Sequence, residues 1–183
     1  GNQPFGVAFD GANIWVANGG SNNVTKLRAS DGASLGPFQV GLAPRGVAFD
    51  GANVWVANEP AKGTKLRASD GASLGTFPVG LAPWGVAFDG ANIWVSNSFD
   101  GTVTKLRAGD GANLGSFPVG SVPYGVAFDG ANIWVANRGD ATVTKLRASD
   151  GATLGTFPVV GTEPFAVAFD GALWAWREVT SAL

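Results

Sequence analysis

The chain of 183 residues contains no cysteine and no histidine. Without thiols it forms no disulfide, no thiolate metal site and no cysteine nucleophile. Without imidazole it builds no Ser-His-Asp triad and no histidine-ligated zinc, and it lacks the side chain most used for proton transfer near neutral pH. Charge is scarce too: 14% of residues are charged and the net charge is −2. That balance supplies no attractive field, so no nucleic-acid partner is expected. No apolar run approaches the length of a membrane span, so no membrane insertion is expected either.

What is present is apolar and turn-dense. Hydrophobic residues make up 45% of the chain and 28 positions are glycine, a β-rich composition with room for one domain and a sizeable core. One sentence is written five times. Phe5-Gly-Val-Ala-Phe-Asp-Gly-Ala-Asn-Ile-Trp-Val-Ala-Asn18 returns at Gly46, Gly85, Gly125 and, altered, at Ala166, in steps of 40, 39, 40 and 41 residues from Gly6. The units run approximately over 4–43, 44–82, 83–122 and 123–163, with a partial fifth over 164–183. A period near 40 marks a repeat architecture in which each unit buries its apolar faces against neighbours.

The fourth unit reads as four short strands. Gly125-Val-Ala-Phe-Asp129 closes on an Asp-Gly hairpin signal, and Asn132-Ile-Trp-Val-Ala-Asn137 follows, rich in β-branched and aromatic residues. After Arg138-Gly-Asp-Ala141 come Thr142–Arg147, a second Asp-Gly turn, and Thr153–Val159. Ile133 and Val135 lie on one strand face, Trp134 and Ala136 on the other. A strand apolar on both faces suits a blade between two blades better than a half-solvated sandwich. The expected fold is an all-β propeller of four-stranded antiparallel blades, with four complete repeats and a partial fifth.

The run Asn132–Asn137 followed by Thr142-Val-Thr-Lys145 resembles the YVTN repeat of bacterial and archaeal propellers. Pro123-Tyr-Gly-Val-Ala-Phe-Asp-Gly-Ala-Asn-Ile-Trp134 also resembles repeats of NHL propellers and of virginiamycin B lyase. The likeness extends to about Trp174 and implies the propeller fold. It does not imply one function, because such folds host binding proteins, surface proteins and enzymes. The lyase relies on a catalytic histidine, and this chain has none. A secreted, periplasmic or cell-surface setting is slightly favoured.

The fifth unit keeps Ala166-Val-Ala-Phe-Asp-Gly171 and then departs, ending before a fourth strand. Three ways of completing a ring remain open: a defective fifth blade, a longer propeller of which this is a part, or association of copies through the unpaired edge.

Candidate chemistry divides into shared and variable positions. Ten of the 11 aspartates precede glycine and read as turn residues, with a calcium-binding ring of carboxylates as the alternative. The recurring Lys26/Arg28, Lys65/Arg67, Lys105/Arg107 and Lys145/Arg147 read as a solvated outer rim, or alternatively as an anion-binding stripe. Trp15, Trp55, Trp94, Trp134 and Trp174 read as packing. Differences concentrate in the loop between the second and third strands and in the connection ending Pro-X-Gly, which emerge on one face. The X residues Phe5, Arg45, Trp84, Tyr124 and Phe165 are expected to ring the channel mouth, with Asn22, Glu59, Lys62, Phe99, Asp100, Arg138 and Asp140 around them. This face predicts a non-enzymatic scaffold that receives a protein or glycan, without cofactor, catalytic residue or metal. A lectin-like module is the first alternative. A metal-assisted lyase or hydrolase is the second, and its acids would come from Asp100, Asp140, Glu59, Glu163 and Glu178.

Overall fold

The computed structural model describes residues 1–169; residues 170–183 of the fifth unit, with Asp170, Trp174 and Glu178, lie outside the described residues. Within them are sixteen strands and no helix. Blade 1 contains β1 (Pro4–Phe9), β2 (Asn13–Asn18), β3 (Asn23–Arg28) and β4 (Ser34–Gln39). Blade 2 contains β5 (Val47–Phe49), β6 (Asn53–Asn58), β7 (Lys62–Arg67) and β8 (Ser73–Pro78). Blade 3 contains β9 (Pro83–Phe88), β10 (Asn92–Asn97), β11 (Thr102–Arg107) and β12 (Asn113–Pro118). Blade 4 contains β13 (Pro123–Phe128), β14 (Asn132–Asn137), β15 (Thr142–Arg147) and β16 (Thr153–Pro158). Each blade is one antiparallel sheet whose strands pair in chain order. The strands expected for the fourth unit match β14 and β15 end for end, and β13 and β16 to within two residues.

Successive first strands pack side by side, β1 on β5, β5 on β9 and β9 on β13, which makes them the inner strands of the series. Glycine permits that closeness. A side chain on Gly46 would come within 2.3 Å of the Trp84 carbonyl oxygen, and one on Gly85 would meet that of Tyr124 at 2.3 Å. Residues 164–169 continue the series without a strand, bringing Ala166 against Gly125.

The core lies between blades. Trp15, Ala17 and Val24 of blade 1 pack on Val54, Val56 and Leu66 of blade 2. Trp55 and Ala57 meet Ile93, Val95 and Leu106. Trp94 and Val103 meet Ile133, Val135 and Leu146. Each blade thus turns a tryptophan face to its successor and an aliphatic face to its predecessor. Burying one indole removes roughly 200 Å² of apolar surface, about 5 kcal/mol of transfer free energy at most.

The Asp-Gly turns do more than reverse the chain. The Asp89 carboxylate accepts from the backbone N–H groups of Ala91 and Asn92 at 2.9 and 2.6 Å, from the Asn92 side chain, and from the Trp94 indole N–H at 2.7 Å. Asp10, Asp50 and Asp129 hold Trp15, Trp55 and Trp134 in the same way. Desolvation pushes these carboxyls up, but the indole, asparagine and amide donors outweigh it, lowering all four and bringing Asp129 to about 2. The spacing Asp-Gly-Ala-Asn-X-Trp carried this cage in the sequence; the turn reading captured only its backbone half.

The Lys/Arg positions correct an expectation. Lys26, Lys65 and Lys105 are only 6% exposed, and so form neither a solvated rim nor an anion stripe. Each lies over its own blade's tryptophan ring at 4.9–5.1 Å. Each also donates to two carbonyls of the next blade: Lys26 to Ala68 at 2.7 Å, Lys65 to Ala108 at 2.6 Å and Lys105 to Ala148 at 2.7 Å, with Ser69, Gly109 and Ser149 as second acceptors. The third strand lies within the blade stack, so its lysine is covered by the neighbouring turn and must be paired there. The arginines two residues on stay exposed and pair with Asp31, Asp70, Asp110 and Asp150.

Candidate functional site

The variable face is built on a repeated backbone device. The residue before four of the five entry prolines is left-handed: Gln3, Ala43, Ala82 and Val122 have φ of 52°, 42°, 50° and 51°. For a residue with a Cβ this costs roughly 1 kcal/mol or more. Asp100 and Asp140 brace two of these connections, accepting from the backbone N–H groups of Leu81 and Ser121, while the Asn22 side chain accepts from that of Ala43. Proline and the following residue then enter the inner strand.

All five X side chains come together in one run. The Arg45 guanidinium lies 4.2 Å from the Phe5 ring centre and 4.8 Å from that of Trp84. Trp84 stacks on Tyr124 at 4.1 Å with 6° between planes, and Tyr124 meets Phe165 at 5.3 Å. Arg138 lies over Tyr124 and Phe165 at 5.6 and 5.0 Å. Glu59 pairs with Arg45 at 3.3 Å and Glu163 with Arg138 at 2.7 Å. Among the described residues the Nε atoms of both arginines are buried without a hydrogen-bond partner.

Phe99 and Asp100 are placed on the connection that delivers Trp84 rather than in the run itself. The backbone N–H of Phe99 donates to the Leu81 carbonyl at 3.3 Å, and its ring is 81% exposed, near Leu81 at 45%. Lys62 lies exposed at the start of β7. The role of Glu163 in the run was not legible from spacing, because it faces an arginine 25 residues earlier.

Chemically, the run is a preassembled surface. Trp84 and Tyr124 cover one another's faces while Phe5 and Phe165 stay partly exposed at its ends, its arginines are paired, and its described acids are engaged by backbone amides or guanidinium groups. At the opposite end an open cleft of about 680 Å³ lies between blades 1 and 2. Its Asp10, Lys26, Asn53 and Arg67 are all committed to the cages and pairs above. Among the described residues no group of three or more acids is placed to hold a metal ion.

The four blades resemble solved structures of greater length. A hydrazine synthase chain of Kuenenia stuttgartiensis aligns with a TM-score of 0.77 at 20% identity, over 85% of this chain and 49% of that one. A functionally unknown protein from Desulfotomaculum acetoxidans DSM 771 aligns at 0.76 and 16% identity, over 88% and 58%. A streptogramin B lyase aligns at 0.71 and 19% identity, over 85% and 54%. The chain therefore spans about half the length of the structures it matches. No family model and no curated protein sequence matches it. The fold is that of propeller-type proteins with varied or unknown functions, two of them named as enzymes.

Proposed function

We propose that the chain is a non-enzymatic propeller scaffold that receives a protein partner on its variable loop face. The centre of that surface is Arg45, Trp84 and Tyr124, with Phe5, Phe165, Glu59 and Arg138 completing it and Phe99 at its margin. The supporting observation is the convergence of the X residues, mostly different from unit to unit, into one continuous run on an otherwise repeated frame. Exposed Phe99, Leu42 and Leu81, the first two at 81% and 61%, add apolar surface of the kind protein partners cover. A glycan stacks on an open ring face, whereas the central rings Trp84 and Tyr124 stack on each other, which favours the protein reading over the lectin one.

A photoreactive phenylalanine at position 99 or 165 tests this in an extract of the source cells. The same adduct is expected at both positions and absent at position 131, on the opposite end. Equal adduct at 131 would remove the placement. Quenching of tryptophan fluorescence by a member of a glycan panel, lost in Trp84→Ala, would transfer the site to carbohydrate.

A further inference from the structure

Three of the X side chains enter the loop face through the same irregularity. In blade 3, β9 and β10 pair Val86 with Val95 and Pro83 with Asn97, so Trp84 and Gly85 both oppose Ser96. Phe5 and Gly6 oppose Ala17 in the same way, and Tyr124 and Gly125 oppose Ala136. Such a bulge disrupts the ladder locally and re-aims a side chain. It also leaves the glycine amide to find an acceptor of its own. In blade 1 that acceptor is the next blade, where the Arg45 carbonyl takes the Gly6 amide at 2.8 Å.

Blade 3 departs from this pattern by one hydroxyl. The corresponding residue is alanine at positions 17, 57 and 136 and serine at 96, and all four are fully buried. The Ser96 hydroxyl accepts from the Gly85 amide at 2.8 Å and donates to the Tyr124 carbonyl at 2.6 Å. One buried side chain therefore joins the peptide group that follows Trp84 to the peptide group that follows Tyr124. These are the two X residues whose rings lie parallel, 4.1 Å apart with 6° between planes. Tyr124 and Phe165, which meet across the alanine at 136, lie at 54° instead. A buried serine hydroxyl has one proton to donate, so these two bonds fix its orientation, and its removal would take a partner from both backbone groups.

We infer that Ser96 is a positioning residue of the loop face, whose hydroxyl sets the parallel stack of Trp84 on Tyr124. It acts through the backbone. With both peptide groups bound to one oxygen, the side chains that leave them hold a fixed register between blades 3 and 4. Alanine in its place would return the Gly85 amide to the arrangement of Gly6, which donates directly to the X carbonyl of the next blade. The Tyr124 ring would then leave its register on Trp84. The consequence for a bound partner rests on the loop-face reading, whereas the geometry of the stack does not.

Tyr124 is the chain's single tyrosine, so incorporation of meta-fluorotyrosine gives the full chain one fluorine resonance, displaced by the ring current of Trp84. Trp84→Ala supplies the position of that resonance without the indole. Ser96→Ala installs the residue that the other three blades already carry, and its circular dichroism spectrum is expected to be unchanged. It should move the resonance at least half as far as Trp84→Ala does. In a Trp84→Ala background the same substitution should move it less than half as far as it does beside the tryptophan, because its effect runs through the stack. A purely structural contribution of Ser96 would lower the melting temperature and leave the resonance in place. A smaller displacement in the first case, a larger one in the second, or a resonance indifferent to Trp84→Ala would each overturn the inference. No partner is present in this measurement, so its failure is distinct from failure of the cross-linking.

Discussion

The two ends of each blade follow opposite rules. At the Asp-Gly end, four blades repeat the same contacts: carboxylate to indole, phenylalanine to glycine where a successor follows, arginine to aspartate. At the loop end the fold asks only for a left-handed residue, a proline and a glycine, and leaves the residue between proline and glycine unassigned. Every polar group used internally resists change, whereas a position constrained only in its backbone is free to differ. Individuality therefore collects where the scaffold's demands stop.

Acid should break the first end before the second. The lowered carboxyls contribute fully above their ordinary value of 3.8, and the contribution is lost as pH falls through the folded values, about 2 for Asp129. Thermal melts are expected to be flat from pH 6 to 8, in the absence of histidine, and to fall steeply between about pH 4 and 2. A midpoint that declines already at pH 6 would contradict the cage assignment.

Single substitutions sharpen the contrast. Asp89→Ala removes the acceptor for two amides, an asparagine and a buried indole, and should cost about 3 kcal/mol in urea unfolding. Asp100→Ala, at the loop end, loses the bond from Leu81 and should cost about 1 kcal/mol. Equal costs would erase the distinction between the ends. Blade 2 offers a change in the opposite direction. Gly63 stands where the other blades bury Val24, Val103 and Val143, and a side chain there finds its nearest atoms 3.9 and 4.0 Å away. Gly63→Val should stabilise by about 1–2 kcal/mol, read as a rise of roughly 3–6 °C in melting temperature. An effect as small as that of Asp100→Ala, about 1 kcal/mol, is expected at Trp84→Ala from the lost stack on Tyr124, with the blades otherwise unchanged.

Much of this was legible because the units are written in parallel. Strand boundaries followed from the Asp-Gly pairs and the Asn-Ile/Val-Trp runs, and the clustering of Phe5, Arg45, Trp84, Tyr124 and Phe165 followed from their shared place after proline. The lysines were misread because alternation along β3, β7 and β11 puts Lys and Arg on one face without showing that the next blade covers only the first of them. The Arg45–Glu59 and Arg138–Glu163 pairs join side chains 14 and 25 residues apart, and no periodic rule connects them. Nor did repetition reveal that glycine in the second Asp-Gly turn is a seat for the preceding blade's phenylalanine as well as a bend.

Since every hydrophobic cluster joins one blade to the next, no blade specifies how many companions it has. Trp15 meets Val54 much as Trp55 meets Ile93. Duplication or excision of one whole unit, by unequal exchange between near-identical coding stretches, would place a familiar tryptophan face on a familiar aliphatic face. The length of such a chain can drift in steps of about 40 residues without any new contact having to evolve.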